Sequence, residues 1–397
     1  MNATTKKVVL QIHGWLGLVT GLVVFIVSIT GCAWVFKEEI ESFLSEEEPI
    51  VVQNQPNVTP TEAKALAETV LPGREVHGAV YGNRNDPIEV IFYEYEPVFH
   101  QSVFIHPYRG EVLSTVDHRN GFFAWVLDGH QYLWLPSALG THVVLVSVLL
   151  FLVILVSGLV LWWPKNRRAA PARFQFRWKP TTGWRRKNFD LHSVVGFYIY
   201  LLAFTLALTG SVMGYGWFYY VVYKSVGGDQ NPRFVIPDNV SSPQSLSEGS
   251  SVDRLLEQLR AEKDGAVSWE IHYPTSDTAS IYVEVSRQEG VFYNADYRFF
   301  DTRTLEELNA HSIYGKYDQA NFADHLIRSN YDIHVGAIGG WLGKILAFLA
   351  SLVTASLPIT GFLLWWGRKK KEKTKRLIKA NTHLVEKRNP RVKSTQV

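Results

Sequence analysis

Hydrophobic positions along this 397-residue chain follow two different rhythms. Four stretches, about Gly14–Phe36, Leu139–Trp163, Val194–Tyr220 and Trp341–Trp366, run for more than 20 residues with almost no charge. At 1.5 Å per residue each reaches across a hydrocarbon core of roughly 30 Å, so four membrane-spanning helices are predicted. Small residues recur inside them (Gly158, Gly210, Ser351, Thr354, Gly361), as close helix packing in lipid requires. Aromatic pairs such as Trp162-Trp163 and Trp365-Trp366 mark interfacial ends.

Between the spans the pattern changes to short polar helices and alternating strands. Thr59-Pro60-Thr61-Glu62 has an N-cap, a Pro at the first helical position and a capping Glu, and predicts a helix through Val70. Strands follow near Ile88–Tyr95 and Val103–Ile105, with a turn at His106 to Glu111. A second set places a helix near Val252–Lys263, strands near Val267–His272, Ser280–Val285 and Val291–Asn294, and a turn at Phe300 to Thr304. The expected fold is therefore a four-helix transmembrane bundle carrying two small α+β domains. Its segments are 1–36 (terminus and first span), 37–138 (first α+β domain), 139–163 (second span), 164–190 (basic loop), 191–220 (third span), 221–340 (second α+β domain), 341–366 (fourth span) and 367–397 (basic tail).

Charge then sets the expected topology. Residues 1–12, 164–190 and 367–397 hold 23 of the 40 Lys and Arg and only three of the 37 acids, a local balance of +20. The rest carries −17, so the formal net charge of +3 is a cancellation. The positive-inside rule puts the three basic segments, and with them both termini, in the cytoplasm, and the acidic domains in the periplasm. Positive charge confined to juxtamembrane blocks argues against a nucleic-acid partner. The single cysteine, Cys32, excludes an intramolecular disulfide. Ile29-Thr30-Gly31-Cys32 has the look of a lipoprotein signal, but the apolar run is longer than a signal core and continues through Phe36, which favours a retained span.

A duplication organises the chain. His13 is followed eighteen residues later by Gly31, and His192 eighteen later by Gly210; Gly140 precedes Gly158 by the same interval, and Gly343 precedes Gly361. Spans one and three match, as do two and four, which makes a parallel 2+2 repeat. Histidines then stand at four equivalent span entrances: His13 and His192 at one membrane face, His130 and His334 at the other. Asp128, Asp190 and Asp332 each precede a histidine by two and are expected to cap the coming helix. Ionisable residues at such depth are costly and usually functional. Two pairs of imidazoles, without cysteine or nearby carboxylate clusters, suit two six-coordinate b-type haems better than zinc or non-haem iron. His142, twelve residues into the second span from His130, is an alternative ligand on that side. Lys344, Arg185 and Arg186 are candidate partners for haem carboxylates. His311 and His325 read as loop histidines, His77, His100, His106, His118 and His272 as surface or structural, and His383 as part of the basic tail. No nucleophile–base spacing, Walker loop or Rossmann fingerprint appears, so the catalytic residues are unknown.

Taken together, His13-Gly-Trp-Leu-Gly17, Asp190-Leu-His192-Ser-Val-Val-Gly196, Asp301-Thr302-Arg303, and Asp332-Ile-His334-Val-Gly336 leading to Gly361-Phe-Leu-Leu-Trp365-Trp366 resemble the PepSY-associated membrane protein family, over about residues 6 to 370. That family includes iron-regulated inner-membrane proteins and di-haem siderophore reductases. The resemblance implies PepSY-like periplasmic domains, two b-type haems, and reduction of a ferric siderophore by electrons from a cytoplasmic or quinol donor, in a protein expected to be monomeric. Gly14 stands where the family's first His motif carries an Arg. Two other classes remain open: a haem-free PepSY regulator or protease-inhibitor anchor, and an iron permease component, the latter disfavoured because no span carries buried carboxylates.

Overall fold

The computed structural model describes residues 2–44, 49–95, 98–164, 170–240, 250–262, 265–276 and 278–388. Of the predicted features, Lys165, Arg167 and Arg168 of the basic loop, Lys263 at a helix end, and Arg391 and Lys393 of the tail lie outside these. Among the described residues, four helical runs are long and apolar enough to cross a membrane: Thr4–Trp34, Ser137–Trp162, Trp184–Gly214 and Ala337–Lys370. The first helix, Ala3–Trp34, starts about ten residues earlier than the hydrophobic run and continues unbroken past Cys32. The third departs from expectation at both ends. It is entered through a π-helical turn, Leu191–Val195, and it stops at Gly214, because Tyr215 turns extended (φ −125°, ψ 112°) before a separate helix, Gly216–Ser225. The fourth begins after Gly336, whose φ of 81° is open to glycine, and where a side chain would run into the Gly343 carbonyl.

The chain divides into two compact units. The first, residues 1–32, 129–208 and 348–397, is helical. A small apolar core forms there from Val24, Phe151, Leu155, Ala203 and Ala207, contributed by spans one, two and three.

The second unit, residues 33–128 and 209–347, is built on one antiparallel sheet. Its strands are β1 (Gly78–Tyr81), β2 (Ile88–Glu94), β3 (Phe99–Ile105), β4 (Val112–Asp117), β5 (Ser268–His272), β6 (Ile281–Ser286), β7 (Asp296–Phe300) and β8 (Glu307–Leu308). The order is β4-β3-β2-β1-β5-β6-β7-β8. This corrects the expectation of two separate α+β domains. β1 pairs with β5, Gly78 opposite His272 and Tyr81 opposite Trp269, so eight strands share one core. Pairing across β1 and β5 joins the two half-sheets over a single apolar core. Val90, Phe92, Val103, Ile271, Val283 and Phe300 fill one sheet face under two helices, Pro60–Val70 and Ser251–Ala261. The first helix has the predicted capping box at Thr59 and Glu62. It is tied to the second by Thr61 N–H donating to Asp253 Oδ1 at 2.8 Å.

Two further expectations are corrected. The strand predicted at Val291–Asn294 is a loop, and the strand lies at Asp296–Phe300 instead, because the amides of Phe292 and Tyr293 donate to the Asp332 carboxylate (3.0 and 2.6 Å) rather than to a ladder. The three aspartates do not cap helices. Each lies within a helix already begun: Asp128 pairs with Arg119, Asp190 accepts from Trp178 and Arg186, and Asp332 takes the two amides just named.

Candidate functional site

The four repeat-related histidines, His13, His130, His192 and His334, are each seated against a glycine. His13, on span one, lies against Gly158 of span two; a Cβ there would stand 3.2 Å from His13 Cε1. His13 Nδ1 donates to the Ile154 carbonyl (3.2 Å) and Ser157 Oγ (3.0 Å), whose own proton goes to Ile154 O. His192, in the π-helical turn, lies against Gly361 at 3.3 Å. Its Nδ1 meets Thr360 Oγ1 at 2.9 Å, and that hydroxyl donates to the Ser356 and Leu357 carbonyls. His130 lies against Gly31 at 3.3 Å, with Nδ1 donating to Val27 O (2.9 Å) and Thr30 Oγ1 (3.2 Å). His334, in the second unit, lies against Gly210 at 3.1 Å, with Nδ1 2.9 Å from Thr209 Oγ1.

The recurring element is a Ser/Thr-Gly pair facing each ring. Glycine admits the imidazole edge, and the hydroxyl and the carbonyl one turn earlier take the Nδ1 proton. For His13, His130 and His192 the acceptors are already spent as donors or are carbonyls, which places the proton on Nδ1 and the lone pair on Nε2. Sequence spacing singled out Gly31, Gly158, Gly210 and Gly361 but not their role; the hydroxyl preceding each was the signal that went unread.

His13 and His192 come together. Their ring centroids are 6.2 Å apart with planes at 84°. Both line a cavity of about 740 Å³ within the helical unit, walled by Gly17, Trp162, Phe197 and Trp365 among others, with Arg173, Arg185 and Arg368 also on its lining. Trp162 stacks on Phe197 at 3.7 Å.

Of the other candidates, His142 is exposed on the second span. Arg185 lines the cavity and donates to Gly367 O at 2.6 Å, whereas Arg186 is engaged by Asp190. Lys344 is committed to Glu38 and Glu39 in the second unit (3.2 and 2.7 Å). His325 packs on Tyr317, and His311 is exposed.

The sheet face opposite the core gathers ionisable groups that look scattered in sequence. Cross-strand neighbours place Glu89, Val80, Glu270 and Glu284 in one row across β2, β1, β5 and β6, and Ile91, Gly78, His272 and Tyr282 in the next. One nitrogen each of His77 and His272 and a Glu270 oxygen lie within 4.8 Å of one another. The His100 and His118 rings lie 4.3 Å apart, tilted by 32°, and His118 Nε2 is 2.8 Å from Ser102 Oγ, which donates to Glu89. Burial pushes the His118 imidazole down to about 4, helped by His100. Burial, then the neighbouring Glu270, pushes the Glu284 carboxyl up to about 7. These histidines had been expected to be merely surface or structural. Residues almost 200 apart meet here only because β1 pairs with β5, a contact that no local pattern announces.

No curated protein matches this chain. The family model described as the PepSY-associated TM region matches residues 10–368, which takes in spans two and three, nearly all of spans one and four, the whole sheet and every histidine placed above except His383. The chain is a multi-pass membrane protein and belongs to that family.

Proposed function

We propose that this protein is a bacterial inner-membrane oxidoreductase that uses b-type haem to deliver electrons to a ferric siderophore, with both termini in the cytoplasm and the sheet in the periplasm. The observation that carries the reading is the His13–His192 pair in its apolar cavity. The two ring centroids, 6.2 Å apart, would leave room for one metal ion held by a nitrogen of each imidazole. With the proton on Nδ1, each ring keeps its lone pair on Nε2, and His13 and His192 would hold the haem iron through it. Glycines on the wall admit a flat macrocycle, aromatic side chains supply apolar contact, and Arg173, Arg185 and Arg368 offer charge to its carboxylates. Haem held there supplies one-electron redox chemistry.

The chain's own residues bind and orient that group: the Ser157 and Thr360 hydroxyls fix ring rotation, and the apolar walls exclude water. A second haem rests on the sequence pattern of His334 with His130, or with His142 in place of His130, and so does the parallel 2+2 repeat with its PepSY-like halves. The iron is substrate. Hard oxygen chelators hold Fe(III) far more tightly than Fe(II), so one-electron reduction releases the metal and spares the chelator. The acidic balance outside the basic segments favours a cationic chelate.

A visible spectrum of detergent-purified protein tests this. A Soret band and a dithionite-reduced α-band are expected, and their absence would overturn the haem reading. His13→Ala or His192→Ala should remove about half the haem. Unchanged haem content refutes the ligand assignment.

A further inference from the structure

The non-core face of the sheet carries a cluster that the electron-transfer reading does not use. His77 stands just ahead of β1, anchored by its N–H to Ile91 O at 2.8 Å, with its ring 4.8 Å from that of His272 and nearly perpendicular to it (87°). Glu270 Oε1 lies 3.2 Å from His272 Nε2. Strand periodicity accounts for this: Glu270 and His272 are two apart on β5 and share a face, and Gly78 is directly opposite His272. A Cβ at Gly78 would stand 3.3 Å from His272 Nδ1 and 3.0 Å from Ile271 O, so glycine keeps that space for the imidazole. On the other side the Tyr282 ring stacks on His272 at 4.4 Å, and its hydroxyl donates to Glu284 Oε2 at 3.0 Å, fixing the stack.

We propose that His77, His272 and Glu270 form a binding site for a divalent first-row transition-metal ion, separate from the histidines of the spans. Two imidazoles and one carboxylate match the preference of Zn(II), Co(II), Ni(II) or Fe(II), while Mg(II) and Ca(II) demand oxygen ligands throughout. Metal–ligand bonds of about 2.0–2.2 Å separate neighbouring donor atoms by roughly 3–3.5 Å. The three donor atoms already lie within 4.8 Å of one another, so small side-chain rotations close the shell. His77 is exposed while Glu270 and His272 are half-buried, which gives an ion an entry path and leaves coordination positions for water. Glu89 and Glu284 in the adjoining row are carboxyls whose ionised form a bound cation would favour. The site does not depend on haem being present.

The test is Co(II) binding to untagged full-length protein in detergent, read as Co(II) per chain by elemental analysis after desalting, a readout blind to haem iron. One Co(II) per chain is expected, displaced by Zn(II) and unaffected by excess Mg(II). His77→Ala, at an exposed position whose backbone anchor remains, should weaken binding at least about tenfold, and His272→Gln and Glu270→Gln should follow. The double variant His13→Ala/His192→Ala should bind Co(II) as the parent does. The proposal is overturned if the parent retains no Co(II), if His77→Ala binds with parental affinity, or if the span variant loses the ion.

Discussion

Replacing Gly158 by alanine probes the packing that holds His13. The added methyl would stand 3.2 Å from His13 Cε1, whereas carbon atoms rest at about 3.5–4.0 Å, so the ring must retreat by a few tenths of an ångström. That retreat stretches hydrogen bonds already at 3.2 and 3.0 Å to Ile154 O and Ser157 Oγ. Overpacking of this kind costs about 1–3 kcal/mol, and alanine returns up to about 1 kcal/mol of helix propensity, leaving a net loss of about 0–3 kcal/mol. The sharper quantity is the coupling. In a His13→Ala background the new methyl meets no ring, and Gly158→Ala should become neutral or stabilising. A double-mutant cycle, measured by thermal unfolding in detergent on protein stripped of any chromophore, should therefore give a coupling of about 1–3 kcal/mol. Additive effects of the two substitutions would show that the ring does not rest on Gly158.

Two further outcomes concern the sheet unit. Asp332 is fully buried and takes the amides of Phe292 and Tyr293, so Asp332→Ala should cost about 2–3 kcal/mol, and Asp332→Asn, which keeps one acceptor oxygen, about half of that. Equal melting temperatures for the two variants would contradict the role of those bonds. His118 is held at about 4 in the folded protein, below the ordinary 6.5. Between those values the unfolded chain binds a proton that the folded chain does not, so stability should rise with pH through that window, by on the order of 1–2 kcal/mol for a half-exposed ring. His118→Asn should flatten the rise in melting curves taken at pH 4.5 and 7, and an unchanged slope would refute the assignment.

Much of the helical architecture was written in local composition. Four uncharged runs gave four spans, and the Thr59 capping box gave its helix, because length and end chemistry are properties of contiguous sequence. What escaped was set by distant partners. Tyr215 ends span three inside a run still rich in Trp and Tyr, and hydropathy cannot register a single extended residue. The loop at Val291–Asn294 alternates like a strand, yet its amides are claimed by Asp332 some 40 residues away. β1, four residues long, is too brief to announce itself, and with it the joining of the two half-sheets went unseen. For the site, repeat spacing singled out His13 and His192, whose rings lie 6.2 Å apart, while the Ser/Thr-Gly seats and the His77–Glu270–His272 cluster needed three dimensions.

The β1–β5 pairing also shapes how the protein must be made. In the finished sheet β1 is an interior strand, but during synthesis it is the bare edge of a half-built layer until residues 268–272 emerge, roughly 190 residues later. At about 5–20 residues per second that interval lasts about 10–40 s, with two further spans inserted meanwhile. An unpaired edge invites foreign strands. The newborn chain therefore passes through a period of vulnerability, with β1 open to wrong pairing, that its mature shape gives no hint of.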